Sequence, residues 1–231
     1  MIIKKVICVT IKDFKKRIAS IRKRFKKYKL EFLYGTHAKN LKVSNKWILS
    51  RKNFGGFSNN AKKKKAAYSL YKNHLEALRK IVSRKMNNVL VIEDDAFIKN
   101  RNFREIIIPS NADLIYLGGF FGTNKKKKFH DWNYEYLLPI NINMLIRIPD
   151  PKYNYKTKYF CTHAMFYPKW EKTKEILKCI KNYVPKAIDN IFAGYIHGKF
   201  QCYCTLPSRI IQKDTNNFST IENKKHNVPF S

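Results

Sequence analysis

Apolar residues along this chain occur in two alternating patterns: short unbroken runs, and stretches where they recur every three or four positions. "KKVICVTI" (4–11) is an unbroken run rich in β-branched residues and predicts a strand buried on both faces. In "KDFKKRIASIRKRFKKY" (12–28), Phe14, Ile18, Ile21 and Phe25 fall near helical spacing with lysine and arginine opposite, which predicts an amphipathic helix. "LEFLYGTHA" (30–38) reads as a second strand closed by Gly35. Strand, helix and strand at this spacing form a crossover unit, so the sheet should be parallel here.

The pattern loosens from 40 to 66, where "RKNFGGFSNNAKKKK" combines glycines, polar residues and a lysine run and predicts a loop. Helical spacing returns over 66–85, with Ala67, Leu70, His74, Leu75, Leu78 and Ile81 on or near one stripe. "NVLVIEDD" (88–95) and "ADLIYLGGFFG" (112–122) read as buried strands, and residues 123–158 show no period. A strand over 158–170 ends at Pro168, helices follow over 171–183 and 187–199, and a strand over 201–206 stops at Pro207. No repeat or linker divides the chain, so one domain is expected over 1–231.

Composition sharpens one feature. Only 16 residues are acidic against 48 basic ones, yet Glu93, Asp94 and Asp95 stand together where the strand ends. An open α/β sheet binds ligands at the carboxyl ends of its strands. Three adjacent carboxylates there repel one another unless a cation or hydrogen-bond donors offset their charge. An oxygen-preferring divalent ion, Mg²⁺ or Mn²⁺, is one answer, and such ions complete their shells with phosphate oxygens. Helix capping and pairing with surface lysines are the others.

The net charge of +32 predicts attraction to polyanions. The lysines are nevertheless spread over the whole chain, with runs at Lys62–Lys65 and Lys125–Lys128, and there is no helix-turn-helix, zinc finger or aromatic RNA-binding signature. A nucleic-acid partner is therefore not expected. The lysine runs do allow peripheral contact with an anionic membrane. No apolar run approaches the roughly 18–20 residues of a membrane span, and "MIIKKVICVTI" is too short in its apolar part for a signal peptide, so a cytoplasmic setting is expected. Five cysteines, odd in number and unevenly spaced, predict reduced, mostly buried thiols.

Taken in order, Arg17 in the first helix, "NHLEAL" (73–78), "VIEDDA" (91–96), "LIYLGG" (114–119), "FCTHAMFY" (160–167), "AIDNIF" (187–192) and "LPSRIIQKDTNNFSTI" (206–221) resemble glycosyltransferase family 25. That family includes lipopolysaccharide-type and collagen hydroxylysine galactosyltransferases. Asn73 stands where the family usually has serine, Cys161 where it has glycine, and Phe166 near its usual tyrosine.

The resemblance implies a glycosyltransferase A-type α/β domain with a mostly parallel, Rossmann-like central sheet flanked by helices. Residues 1–122 would form the nucleotide-sugar half and 123–231 the acceptor half. It implies inverting transfer of galactose or glucose from a UDP-sugar, with Mn²⁺ or Mg²⁺, to a glycan, glycolipid or hydroxylysine-type protein. Asp95 and Asp94 would hold the metal. Glu93, Asp94, His74, His163 and Gln212 would lie on the donor side, with Gln212 and Ser219 of the terminal motif closing over the diphosphate. Asp189 would be the base that takes the acceptor hydroxyl proton. Spacing alone leaves His74 and His163 equally readable as satisfied core residues. A metal-dependent nucleotidyl or phosphoryl transferase would need a glycine-rich phosphate loop after the first strand, and "TIKDFKK" supplies none. A basic polyanion-binding protein without catalysis remains the alternative.

Overall fold

The computed structural model describes residues 1–44, 48, 60–99, 103, 106–123, 144–148, 157–160, 162–182, 187–206 and 208–212. Cys161, Lys125–Lys128, Ser219 and most of 123–158 therefore lie outside the described residues. The elements in order are β1 (Lys5–Ile11), α1 (Lys15–Arg24), β2 (Leu30–Gly35), a 3-10 turn (Ala38–Asn40), α2 (Ala61–Ser83), β3 (Val89–Glu93) and β4 (Ala96–Ile98). They continue with β5 (Leu114–Tyr116), β6 (Phe120–Thr123), β7 (Met144–Arg147), β8 (Thr157–Phe160), β9 (Ala164–Tyr167) and α3 (Trp170–Lys181). Last come α4 (Ile188–Ile191), which runs on as a π turn over Phe192–Ile196, then β10 (Cys202–Leu206) and β11 (Ile210–Gln212).

A seven-stranded sheet in the order β2-β1-β3-β9-β5-β10-β7 forms the centre, with two-stranded ladders β11-β4 and β6-β8 beside it. β1 pairs in parallel with both β2 and β3, and β5 with β10; β9 and β7 run against their neighbours. The architecture is thus α/β with five of seven strands pointing one way.

Strand periodicity puts alternate residues on opposite faces, and here both faces are covered. Val6, Cys8, Leu90 and Ile92 pack with Ile21 of α1 and with Phe25 just past its end. Ile7, Val9, Val89 and Val91 pack with Leu75 and Leu78 of α2 and Ile176 and Ile180 of α3. The predicted unbroken apolar runs are explained by this two-sided burial. Cys8, Cys202 and Cys204 are buried free thiols, and Cys179 is half-buried.

Three expectations need correction. Residues 112–122 are two strands, β5 and β6, that belong to different sheets. Residues 158–170 likewise divide into β8 and β9. Helix α2 begins at Ala61, so Lys62–Lys65 lie in its first turn and not in the preceding loop. A cationic first turn opposes the helix dipole, which is why the pattern favours a later start. Asn60 offsets part of that cost, since its side-chain oxygen accepts from Lys63 N at 3.1 Å.

On β2, Glu31 gathers Lys5, Lys80 and Arg84. Burial alone would raise its carboxyl, but the hydrogen bonds and charges of Lys5 and Lys80 outweigh that and hold it at about 2. A depressed carboxylate stabilises the fold above its unfolded value and ceases to do so as pH falls through the folded one. Glu31→Gln is expected to cost about 1–2 kcal/mol in urea unfolding at pH 7. That difference should shrink as pH drops below 4.5 toward 2.

Candidate active site

The carboxyl ends of β1 and β3 open onto a cleft of about 110 Å³, with Thr10, Phe14, Arg17, His37, Asp95 and Gln212 among its walls. Helix α1 covers one face of the sheet and α2 the other; β1 connects to β2 on one side while the chain after β3 continues to β5 on the other, so the cleft lies between adjacent strands whose connections lead in opposite directions. Ligands of open α/β sheets bind at such a switch point.

Strand alternation separates the three carboxylates. Glu93 follows Val89 and Val91 toward α2, and its Oε1 lies 3.1 Å from His74 Nε2. Asp94 turns toward α1, where its Oδ1 accepts from Arg17 at 2.8 Å and its Oδ2 from Thr10 Oγ1 at 2.6 Å. Asp95 begins the turn into β4 and accepts from Gln212 Nε2 at 2.7 Å through Oδ2. Its Oδ1 is buried and has no hydrogen-bond partner among the described residues. A buried oxygen left in that state is costly, and a native structure that keeps one usually has a use for it.

The reversed direction of β9 brings the other side chains here. Because β9 runs against β3, the residues preceding it lie beside the end of β3: Glu93 N donates to His163 O at 3.0 Å. Thr162 Oγ1 then lies 2.8 Å from Glu93 Oε1 and 2.8 Å from Asp189 Oδ1. His163 donates through Nε2 to Ile210 O at 3.0 Å, which ties the β11 segment down.

Charge in the cluster is uneven. Burial pushes Glu93 up, but His74, Thr162 and the charge of His163 outweigh it and leave its carboxyl below the usual range. Asp95 is pushed up to about 7, first by burial and then by the charges of Glu93 and Asp94, against the Gln212 bond and Arg17. Asp189 is pushed up to about 6 by burial and then by Glu93, with Thr162 and His74 opposing. Burial lowers His163, against the bond to Ile210 and the charge of Glu93, which raise it.

The structure thus joins Glu93, His74 and Asp189 in one hydrogen-bonded group through Thr162, and joins Asp95 to Gln212 in another. Glu93, Asp94, Asp95 and Gln212 reach the cleft. His74, His163 and Asp189 do not line it: the two histidines are buried behind the carboxylates, where each supports a neighbour, and Asp189 joins the group through Thr162. Sequence reasoning gave no role to Thr10 and none to Thr162. The signal at Thr10 was a lone polar residue near the end of an apolar strand. Thr162 showed no signal apart from the motif that contains it. Asn73 lies against Gly35 so closely that a Cβ on that glycine would meet the Asn73 side chain at 2.1 Å.

A divalent cation would suit this donor set. Asp94 has both oxygens engaged, so the free buried oxygen of Asp95 is the fitting first ligand. Among the described residues no three His, Cys, Asp or Glu side chains converge as a complete cage. Mg²⁺ and Mn²⁺ do not require one, since one or two carboxylates plus phosphate oxygens and water are enough. No described helix is long and apolar enough to cross a membrane.

The sequence matches no protein-family profile and no curated protein. Among solved structures, the chain is similar to the crystal structure of a glycosyltransferase involved in the glycosylation of the major capsid of PBCV-1, at 8% identity and a TM-score of 0.39, over 84% of this chain and 76% of that chain.

Proposed function

We propose that this chain is a metal-assisted glycosyltransferase that moves a hexose, galactose or glucose, from a UDP-sugar to a hydroxyl acceptor with inversion. The observation that carries the reading is Asp95 at the carboxyl end of a parallel strand, which lines a cleft between α1 and α2 and whose buried Oδ1 has no hydrogen-bond partner among the described residues. The motif order from Arg17 to Gln212 points the same way. A bound Mn²⁺ or Mg²⁺ would supply Lewis acidity to the departing diphosphate.

This chain's residues divide the remaining work. Asp95 and Gln212 hold the metal side of the donor. Arg17 keeps Asp94 in place and adds a positive charge to the cleft wall, which favours an anionic donor. Asp189 takes the proton of the acceptor hydroxyl as that oxygen attacks the anomeric carbon. Glu93 and His74 hold Thr162 and Asp189 in position from behind. The acceptor is a glycan, a glycolipid or a hydroxylysine-bearing protein.

UDP release from a panel of UDP-sugars, measured with Mn²⁺ and again with EDTA, tests the reading. One UDP-sugar should turn over, and EDTA should stop it. No turnover and no nucleotide-sugar binding under any metal would sink the proposal. Polyanion binding that falls steeply with salt and survives chelation would then replace it.

A further inference from the structure

The cleft has a second wall, built around the end of β2. His37 and Ala38 follow that strand, and Ala66, Ser69, Leu70 and Asn73 line the cleft from one face of α2. Two of the polar side chains here are already engaged. Ser69 Oγ donates to Thr36 O, and His37 Nδ1 accepts from Lys39 N at 3.0 Å. The Asn73 side-chain amide makes no hydrogen bond among the described residues, although only 6% of the residue is exposed. A buried amide in that state is costly unless a ligand or water completes it.

Its orientation is set by Gly35. A Cβ on that glycine would lie 2.1 Å from Cγ, Oδ1 and Nδ2 of Asn73 alike. Equal distances mean that the amide turns its flat face to Gly35, which leaves its oxygen and nitrogen edge for the cleft. That edge carries an acceptor and a donor side by side, the pattern that pairs with the polar edge of a nucleobase. Phe14 and His37 line the cleft as an edge-to-face pair, with ring centroids 6.0 Å apart at 74°. They supply ring surface for a planar ligand.

Position selects the base over the sugar. In the sheet order β2-β1-β3-β9, Asp95 stands just past the end of β3. Gly35 and Asn73 lie two strands to one side, and Thr162 with Asp189 lies on the other. Two strand spacings are about 10 Å, a distance that a ribose and a base can span. A donor with its diphosphate at Asp95 and its anomeric carbon toward Asp189 must extend its nucleoside toward Asn73.

We infer that Asn73 is the base-recognition residue of the donor site, its amide oxygen accepting from N3–H of uracil and its amide nitrogen donating to O4, beside Phe14 and His37. The inference rests on the transferase reading for the direction in which the donor lies.

The probes are UDP and N3-methyl-UDP, titrated calorimetrically with Mn²⁺ into the full chain and its Asn73→Ala variant. Alanine suits a helix interior, so the variant keeps α2. Asn73→Ala should weaken UDP roughly tenfold or more, and N3-methylation should weaken wild-type binding by a similar factor. The methyl group should cost the variant nothing, because the group it blocks has lost its partner. Equal UDP affinity in both proteins, or the same methyl penalty in both, would overturn the inference. So would a loss seen with UDP-sugars and not with UDP, which would put Asn73 against the sugar. Binding needs no turnover. The expected pattern without transfer from any UDP-sugar would uphold the base site and reject the transferase reading. Transfer with a KM that Asn73→Ala leaves unchanged would do the reverse, and no UDP binding with any metal would reject both.

Discussion

Asp95→Asn should lower metal-dependent UDP release at least about a thousandfold while making the metal-free protein more stable above pH 7. Both effects come from one oxygen. Asp95 Oδ1 is buried without a hydrogen-bond partner among the described residues, and the carboxyl is pushed up to about 7 by burial and by Glu93 and Asp94. A folded-state value above the unfolded one means that the group stabilises the fold below its unfolded value of 3.8, and that this contribution is lost as pH rises through about 7. Ionised Asp95 therefore costs the metal-free fold on the order of 2–4 kcal/mol, and the neutral amide avoids that cost while keeping the shape. Thermal unfolding of both proteins at pH 8, with EDTA and with Mn²⁺, provides the check. In EDTA the variant should melt several degrees higher. Mn²⁺ should raise the wild type and leave the variant unchanged. A variant that loses stability in EDTA, or that still turns over at a tenth of the wild-type rate, would refute the role given to Asp95.

The second large effect is expected at Gly118. After β10 the chain returns across the end of β5, where Arg209 N and Ile210 N both donate to Leu117 O, at 2.7 and 2.9 Å. The backbone passes so close that a Cβ on Gly118 would lie 1.7 Å from Ile210 O and 2.8 Å from His163 Nε2. No rotamer change can relieve contact with a backbone oxygen. Gly118→Ala must therefore displace the β11 segment, break the His163–Ile210 bond and withdraw Gln212 from Asp95. A cost of roughly 2–4 kcal/mol in urea unfolding is expected, together with loss of metal-dependent turnover. Gln212→Ala, by contrast, should weaken turnover with little change in the urea midpoint, because that side chain is exposed. A Gly118→Ala protein within about 0.5 kcal/mol of wild type would show that the close approach is not part of the fold.

Much of the frame was legible in the chain. The runs at 4–11 and 88–95 are apolar on both faces because helices cover both faces, and this composition pattern appears without any tertiary information. The helical stripe through Leu75, Leu78 and Ile81 was readable for the same reason. The carboxylates at the end of β3 stood out because acids are scarce in so basic a sequence.

Strand direction was not legible. The run preceding Pro168 has the same apolar pattern whether it pairs parallel or antiparallel, since side-chain alternation is identical in both. Only the assembled sheet reverses β9, and that reversal is what places Thr162 and His163 beside Glu93. Nor could spacing show that Asp94 would be taken by Arg17 and Thr10 while one oxygen of Asp95 stayed free.

By itself the sequence determined which segments must be buried and where negative charge would collect, because periodicity and composition act locally along the chain. The tertiary structure decided how that charge is divided among Glu93, Asp94 and Asp95. Their hydrogen-bond partners come from β1, α1, α2, β11 and the segment ahead of β9, and only packing brings these together.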